Sequence, residues 1–353
     1  MSAPDYAAKL LCLCRAGFER ECADELRDWT ASFGPGATIE QECGAAHVTA
    51  SLSPPRQPPA WRELIFTRSA VAVLAHFPAL DPKDRLGPIL EHLRQSKHGR
   101  YAEVWVEAPD STACAELKSF CRSFEAAAVA ALRKHGLLDP GARLRLHIVF
   151  SSFTSAWLAV ADPARAAPWP GGIPRLKLPH QAPSRSALKI EEAWLVLMDE
   201  AERARWLKPG LQAVDLGAAP GGWSWQLARK GVRVMAVDNG PLKPEALATG
   251  LVKHVRADGF KYRPARPVDW LVCDMVEQPR RITQLIADWL GHSAARAALF
   301  NLKLPMKRRY EETRLCLDGL ADALRAAGKS YELRARQLYH DREEITVVAL
   351  PKR

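Results

Sequence analysis

The chain has 353 residues, 48% of them apolar and 25% charged, the composition of a globular protein long enough for two domains. The longest apolar run, Ser69 to Leu80, is interrupted by His76 and Pro78 and falls short of the roughly 18 residues of a membrane span, so no membrane partner is expected. The formal charge of +10 is uneven: residues 1–164 carry −1 and residues 165–353 carry +11, which directs the search for a polyanionic partner, RNA or DNA, to the second half.

The start, Met1-Ser2-Ala3-Pro4-Asp5, has neither the basic nor the apolar segment of a signal peptide. Cys12, Cys14, Cys22, Cys43, Cys114, Cys121, Cys273 and Cys316 form no CxxC pair and lie mostly in apolar runs. Reduced, buried thiols in a cytoplasmic protein without a metal site are the expectation. Leu10 to Cys14 predicts a strand, and a helical pattern opens after Gly17 and runs through Cys22 and Leu26. Tyr101 to Ala108 alternates as a strand, Ser119 to His135 reads as a helix ended by Gly136, and Arg143 to Phe150 and Trp157 to Ala161 read as further strands. This is α+β with small sheets, and no cluster within it looks catalytic. Six prolines between Pro163 and Pro183, with Gly171 and Gly172, exclude a regular helix or central strand. Residues 163–183 therefore read as a linker between an α+β region, 1–162, and a second domain, 184–353.

Past the linker, Ser186 to Trp206 predicts one helix, with Leu188, Ala193, Leu197 and Ala201 on its apolar face. Strands at Ala213–Leu216, Val232–Val237, Trp270–Cys273 and Ala297–Leu302 alternate with helices from Trp223, at Ile282–Leu290 and at Tyr310–Ala327. Tyr331–Arg336 and Ile345–Leu350 close the chain as strands with no helix between them. Such an order predicts an α/β domain with a mostly parallel sheet and an antiparallel addition at its end.

Val214-Asp215-Leu216-Gly217-Ala218-Ala219-Pro220-Gly221-Gly222-Trp223 runs from an apolar strand through a turn of small residues into a helix. Small residues let a ligand approach the backbone closely, and the crevice beyond the strand is where doubly wound sheets bind ligands. It is neither the GxGxxG of dinucleotide binding nor a P-loop; it resembles motif I of S-adenosylmethionine methyltransferases. Asp215, Asp238, Asp258 and Asp274 each end a strand-like run. Asp238 is suited to ribose hydroxyls of an adenosyl group and Asp258 to its adenine amino group.

Three further segments complete a candidate reaction centre. Lys189 lies in the first turn of the helix that follows Ser184-Arg185-Ser186. Lys303 ends the apolar strand Phe300-Asn301-Leu302, an unusual place for a lysine unless it faces a polar cleft. Glu343 and Glu344 open the last strand, and alternation sends them to opposite faces, with Glu344 chosen for the site. A Lys-Asp-Lys-Glu set in this order resembles that of the FtsJ-like ribose 2′-O-methyltransferases, and the resemblance implies a ribose hydroxyl that needs a base; a lysine serves if burial and a second ammonium lower its pKa. Lys303 is assigned as that base, Lys189 as the second cation, and Asp274 and Glu344 as orienting acids. Lys307-Arg308-Arg309-Tyr310, which begins the next helix, adds three cations and an aromatic suited to phosphates and a stacked base.

The runs Leu11 to Glu19, Gly171 to Lys177, Ala182 to Ser186, Phe300 to Lys307 and Gln337 to Glu344 extend the resemblance over the whole chain, to a family of bacterial large-subunit ribosomal RNA methyltransferases. That resemblance implies a Rossmann-like methyltransferase domain behind an N-terminal THUMP/ferredoxin-like RNA-binding domain. It implies 2′-O-methylation of cytidine 2498 of 23S rRNA in the cytoplasm, with Ser186, Ala219, Pro220, Gly221, Gly222, Asp238, Asp258 and Asp274 lining the S-adenosylmethionine site. A monomer is expected; whether naked RNA or an early assembly intermediate is the substrate stays open. A base-directed enzyme is disfavoured because Asp274-Met275-Val276-Glu277 stands where an Asn/Asp-Pro-Pro-aromatic run is usual. A non-catalytic RNA-binding assembly factor that retains the cofactor pocket would not need lysines at both tetrad positions.

Overall fold

The computed structural model describes residues 6–34, 36–96 and 99–352; the Met1–Asp5 start, read above as lacking a signal peptide, lies outside them. The chain divides into two compact units, Met1–Ile173 and Pro174–Arg353. The division falls inside the proline-rich stretch, whose first part, up to Ile173, goes with the first unit. Gly171 N–H donates to the buried Glu107 carboxylate there.

The first unit holds β1 (Ala7–Leu13), α1 (Glu19–Ala31), β2 (Ala37–Gln41), β3 (His47–Arg56), β4 (Ser69–Phe77), α2 (Leu86–Gln95), β5 (Val104–Glu107), α3 (Leu117–Lys134), β6 (Arg145–Phe150) and β7 (Ala156–Ala161). Its strands form one seven-stranded sheet in the order β2-β3-β1-β4-β7-β6-β5, a correction to the expected small sheets. The reason is β4, the apolar run weighed above only as a membrane span: it pairs antiparallel with both β1 and β7 and so joins two sets of strands.

The second unit holds α4 (Ala187–Leu197), α5 (Glu200–Trp206), β8 (Gln212–Leu216), α6 (Gly222–Arg229), β9 (Arg233–Val237), α7 (Pro244–Leu247), β10 (Val252–Val255), β11 (Val268–Cys273), α8 (Pro279–Gly291), β12 (Ala295–Lys303), α9 (Arg309–Ala326), β13 (Tyr331–Arg336) and β14 (Glu344–Pro351). The sheet order is β10-β9-β8-β11-β12-β14-β13. The first five strands in that order are parallel, and β14 is antiparallel to both β12 and β13. The chain builds outward from β8 to β10 and then returns to the other side of β8 with β11. The switch point therefore lies between the carboxyl ends of β8 and β11, where doubly wound sheets open a crevice. No helix among the described residues is long and apolar enough to cross a membrane.

The single helix expected over Ser186–Trp206 is two. Met198 is extended (φ −121, ψ 140), and Asp199 accepts from Glu202 N at 2.7 Å while Glu202 accepts from Asp199 N at 2.8 Å. This reciprocal capping box starts a new helix, and Ala201 is exposed rather than on a buried face. Glu202 also receives two 2.7 Å hydrogen bonds from Arg334, which tie α5 to β13. Asp199→Ala should lower stability by about 1 kcal/mol through loss of the cap. Glu202→Ala should lower it further, because Arg334 loses a bidentate partner; urea unfolding with an unchanged m-value checks both.

Candidate active site

Lys303, Asp274, Lys189 and Glu344 meet at the carboxyl edge of the second sheet. Asp274 directly follows β11, and Lys303 ends the adjacent parallel strand β12. Glu344 is the cross-strand partner of Lys303 in the antiparallel β12–β14 pair. Lys189 reaches in from the first turn of α4. Lys303 Nζ donates to Asp274 Oδ1 at 2.7 Å and to Glu344 Oε2. Lys189 Nζ lies 2.5 Å from Glu344 Oε1 and 3.4 Å from Asp274 Oδ2. Each ammonium thus bridges both carboxylates, in an alternating ring whose formal charges cancel. The ring is recessed but open to solvent, with side-chain exposures of 23% for Lys303, 16% for Lys189, 17% for Asp274 and 6% for Glu344. Glu343 points away, exposed, and pairs with Arg309 at 2.7 Å.

The ring has a support that sequence reasoning missed. Asn301 Nδ2 donates to Asp274 Oδ1 at 2.8 Å, and Thr346 Oγ1 donates to Asn301 Oδ1 at 2.7 Å. Thr346 Oγ1 also lies 3.1 Å from Asp341 Oδ2. Burial, and after it the Glu344 charge, pushes the Asp341 carboxyl well above the usual carboxylate range. Asp341 Oδ2 also accepts from Leu338 N at 2.9 Å, so the carboxyl is held beside the Thr346 hydroxyl that orients Asn301. Asn301 and Thr346 were legible in principle, as polar residues two positions from Lys303 and Glu344 and so on the same faces. Glu192, one turn beyond Lys189, accepts from Tyr339 N at 2.7 Å, His340 N at 3.0 Å and His340 Nδ1 at 2.6 Å. It pins the loop before β14 to α4 across 147 residues of sequence, a separation that no local pattern reveals.

One expectation for Lys303 is overturned. Burial alone would push its pKa down, but the charges and hydrogen bonds of Asp274 and Glu344 outweigh it and hold the pKa above the ordinary lysine value. The second ammonium does not reverse this, because it shares the same two carboxylates.

The small-residue turn leads from β8 into α6. Gly217 and Gly221 have φ of +75 and +110, conformations that favour glycine. Gly222, the first residue of α6, packs so close beneath the Ser184 and Ser186 hydroxyls that a Cβ would lie 2.5 and 2.3 Å from them. Those hydroxyls are 2.7 Å apart, so Ser186 stands at the turn. Ala219 N donates to Asp238 Oδ2 at 2.9 Å and Gly240 N to Asp238 Oδ1 at 2.7 Å, which fixes Asp238 beside Ala219 and Pro220. Asp258 is exposed and accepts from Phe260 N at 2.9 Å. Its neighbour Gly259 lies against Met275 and Leu216, so Asp258 sits at the mouth between β8 and β11.

The four acids do not form one row of strand ends. Only Asp238 and Asp274 directly follow strands; Asp258 lies in the turn beyond β10, and Asp215 is within β8. Asp215 is buried and accepts from Ser224 Oγ at 2.6 Å, bracing α6 rather than facing the cleft. The three-cation cluster is also altered. Arg308 pairs with Glu311 and Arg309 with Glu343, Lys307 is exposed, and Tyr310 is half-buried in the first turn of α9. Glu311 and Glu312 in that turn offset cations near a helix N-terminus.

Burial raises the Asp215 carboxyl to about 7 despite the Ser224 hydrogen bond. The folded chain therefore keeps a proton there that the unfolded chain, with a carboxyl near 3.9, has released. Stability from this group falls as pH rises from about 4 to 7 and is level above. Asp215→Asn should abolish that slope, so its melting temperature gains on the wild type across this window and stays parallel above it; a parallel pair of curves between pH 4 and 7 would refute the shift.

The FtsJ-like methyltransferase family matches residues 182–304. The N-terminal family of ribosomal RNA large subunit methyltransferase M matches residues 84–162, and the RlmM ferredoxin-like domain matches residues 7–57. The chain is 52% identical over 358 residues to the Ribosomal RNA large subunit methyltransferase M of Stenotrophomonas maltophilia (strain K279a), with 99% of each chain covered. It is 53% identical over 347 residues to the protein of the same name from Xanthomonas campestris pv. campestris (strain B100), with 97% of this chain and 99% of that one covered.

Proposed function

The chain belongs to the ribosomal RNA large subunit methyltransferase M family, with an FtsJ-like methyltransferase domain, and on that premise we propose that it methylates the ribose 2′-hydroxyl of cytidine 2498 of 23S rRNA in the cytoplasm, using S-adenosylmethionine. The observation behind this reading is the Lys189–Asp274–Lys303–Glu344 ring at the switch point, beside the small-residue turn. Residues 1–162 serve as the THUMP-type RNA-binding region, 163–183 as its connection, and 184–353 as the catalytic domain.

The residues at the turn suit the cofactor. Asp238, with both oxygens already oriented by backbone N–H groups, keeps further lone pairs for ribose hydroxyls. Asp258 at the mouth offers acceptors to an adenine amino group, Ser186 offers a hydroxyl, and Ala219 to Gly222 leave the backbone open. When bound, S-adenosylmethionine supplies an electrophilic methyl whose leaving group departs neutral, so the protein needs no acid for it. The chain's task is to bind and align a hydroxyl and to take its proton. In this reading Lys303 Nζ is the acceptor, with Lys189 neutralising the carboxylates that flank it and Asp274 and Glu344 aiming the amine.

Because Asp274 and Glu344 favour the ammonium and hold the pKa above the ordinary lysine value, the amine is a minor species throughout the neutral range. The single-turnover rate should therefore rise about tenfold per pH unit from 7 to 9 with no plateau. A rate independent of pH there would move the proton acceptor from Lys303 to a carboxylate. Lys303→Ala should lower kcat at least about a thousandfold while the cofactor Kd, read by calorimetry, stays within twofold. Labelled cofactor with undermodified 23S rRNA, followed by nuclease digestion, should yield 2′-O-methylcytidine; a methylated base would refute the ribose reading.

A further inference from the structure

The two most exposed large apolar side chains among the described residues are Val276, at 89%, and Met306, at 91%. Single exposed apolar residues are ordinary on a protein surface; the placement of these two is not. Val276 is two residues past Asp274 on the loop leaving β11, and Met306 is three residues past Lys303 on the loop leaving the adjacent strand β12. Both therefore project from the rim of the reaction centre.

The loops that bear them are anchored. Met275, immediately before Val276, fills the space between two glycines: a Cβ on Gly217 would lie 2.5 Å from its Cγ, and one on Gly259 2.9 Å from its Sδ. On the other loop, buried Leu304 donates its N–H to Glu343 O at 2.8 Å, and Pro305 restrains the next backbone torsion. Arg309, holding Glu343, fixes the far end of that loop. Both side chains stand almost fully in solvent, on loops whose backbone is anchored beside them. Two exposed apolar side chains on anchored loops beside a polar cleft, with the exposed cation Lys307 next to Met306, match a partner with apolar faces and an anionic backbone. An unstacked nucleic acid strand has both.

We propose that Val276 and Met306 form an apolar wedge that packs against the nucleobases flanking the target nucleotide and holds it out of its stack, so that its ribose reaches Lys303. The wedge rests on the RNA reading of the preceding subsection. Its action replaces base–base stacking with base–side-chain contact, and no bond is made or broken.

The test uses the full-length protein with S-adenosylhomocysteine and rRNA fragments carrying 2-aminopurine beside the mapped methylation site, so the signal does not depend on which atom is methylated. Wild-type protein should raise the 2-aminopurine fluorescence on binding, and the double variant Val276→Ser, Met306→Ser should not. With S-adenosylmethionine, the double variant should lose about tenfold or more in kcat/KM on a fragment whose target is stacked in a helix. The loss should be several-fold smaller on a short unstructured oligonucleotide. Both positions are solvent-exposed, and an unchanged Kd for S-adenosylhomocysteine confirms that the variant is folded. A wild-type fluorescence rise in the variant, or equal losses on the two substrates, overturns the wedge. Wild-type protein that binds no rRNA fragment overturns the RNA reading and the wedge with it, whereas a methylated base with an intact fluorescence response overturns the ribose assignment alone.

Discussion

The proposed reaction centre depends on the register of one antiparallel strand pair. In the β12–β14 ladder Lys303 stands opposite Glu344, and two residues further in Asn301 stands opposite Thr346. The period of two puts all four on the same face. A slip of one residue would bring Glu343 or Ile345 opposite Lys303 and turn the polar pairs into the apolar layers. The register is held by burial: Ile345 to Leu350 are buried, as are Ala297 to Leu302 on the facing strand. The hydrophobic core thereby positions the charges, and a parallel strand in the place of β14 would have presented its other end to the cleft.

Two lysines and two carboxylates so close together are stable only as an alternating set. Removing any one leaves an unbalanced, partly buried charge, which is far costlier than the net worth of the pairs. The same balance explains why Lys303 is not the low-pKa amine that burial beside a second cation suggests. Each carboxylate touches both lysines, so each lysine sees two negative charges against one positive, and attraction wins. The support from Asp341 through Thr346 and Asn301 to Asp274 then sets where the carboxylate points rather than how many charges are present.

Much of this centre was legible in the sequence where the signal was local. The Asp215-to-Gly222 turn, Asp238, and the lysine at the end of an apolar strand could all be read from residue type and position; alternation says that only one of Glu343 and Glu344 faces the site, and the β12–β14 register says which. What escaped was tertiary. The Glu192 clamp on Tyr339 and His340, the Asp341 support and the ion pairs of Arg308 and Arg309 depend on which elements become neighbours. The break between α4 and α5 was a local feature passed over, since Asp199 and Glu202 carry the capping-box signature inside an otherwise helical pattern. β4 is illegible for a different reason: a continuous apolar run has no period that marks it as a strand.

The charge excess of the second half also takes on a different meaning. The tetrad sums to zero, and Arg308 and Arg309 are engaged by Glu311 and Glu343, so the residues nearest the proposed base contribute little net field. Attraction of a polyanion is then left to exposed cations outside the tetrad, among them Lys177, Arg185 and Lys307. Such a field acts over roughly a Debye length, about 8 Å at physiological salt, and weakens as salt rises. The tetrad's short charge-assisted contacts are largely insensitive to salt. Steering and the chemistry proposed for the tetrad thus fall to separate sets of side chains, and the second half can be strongly basic while the tetrad remains electrically balanced.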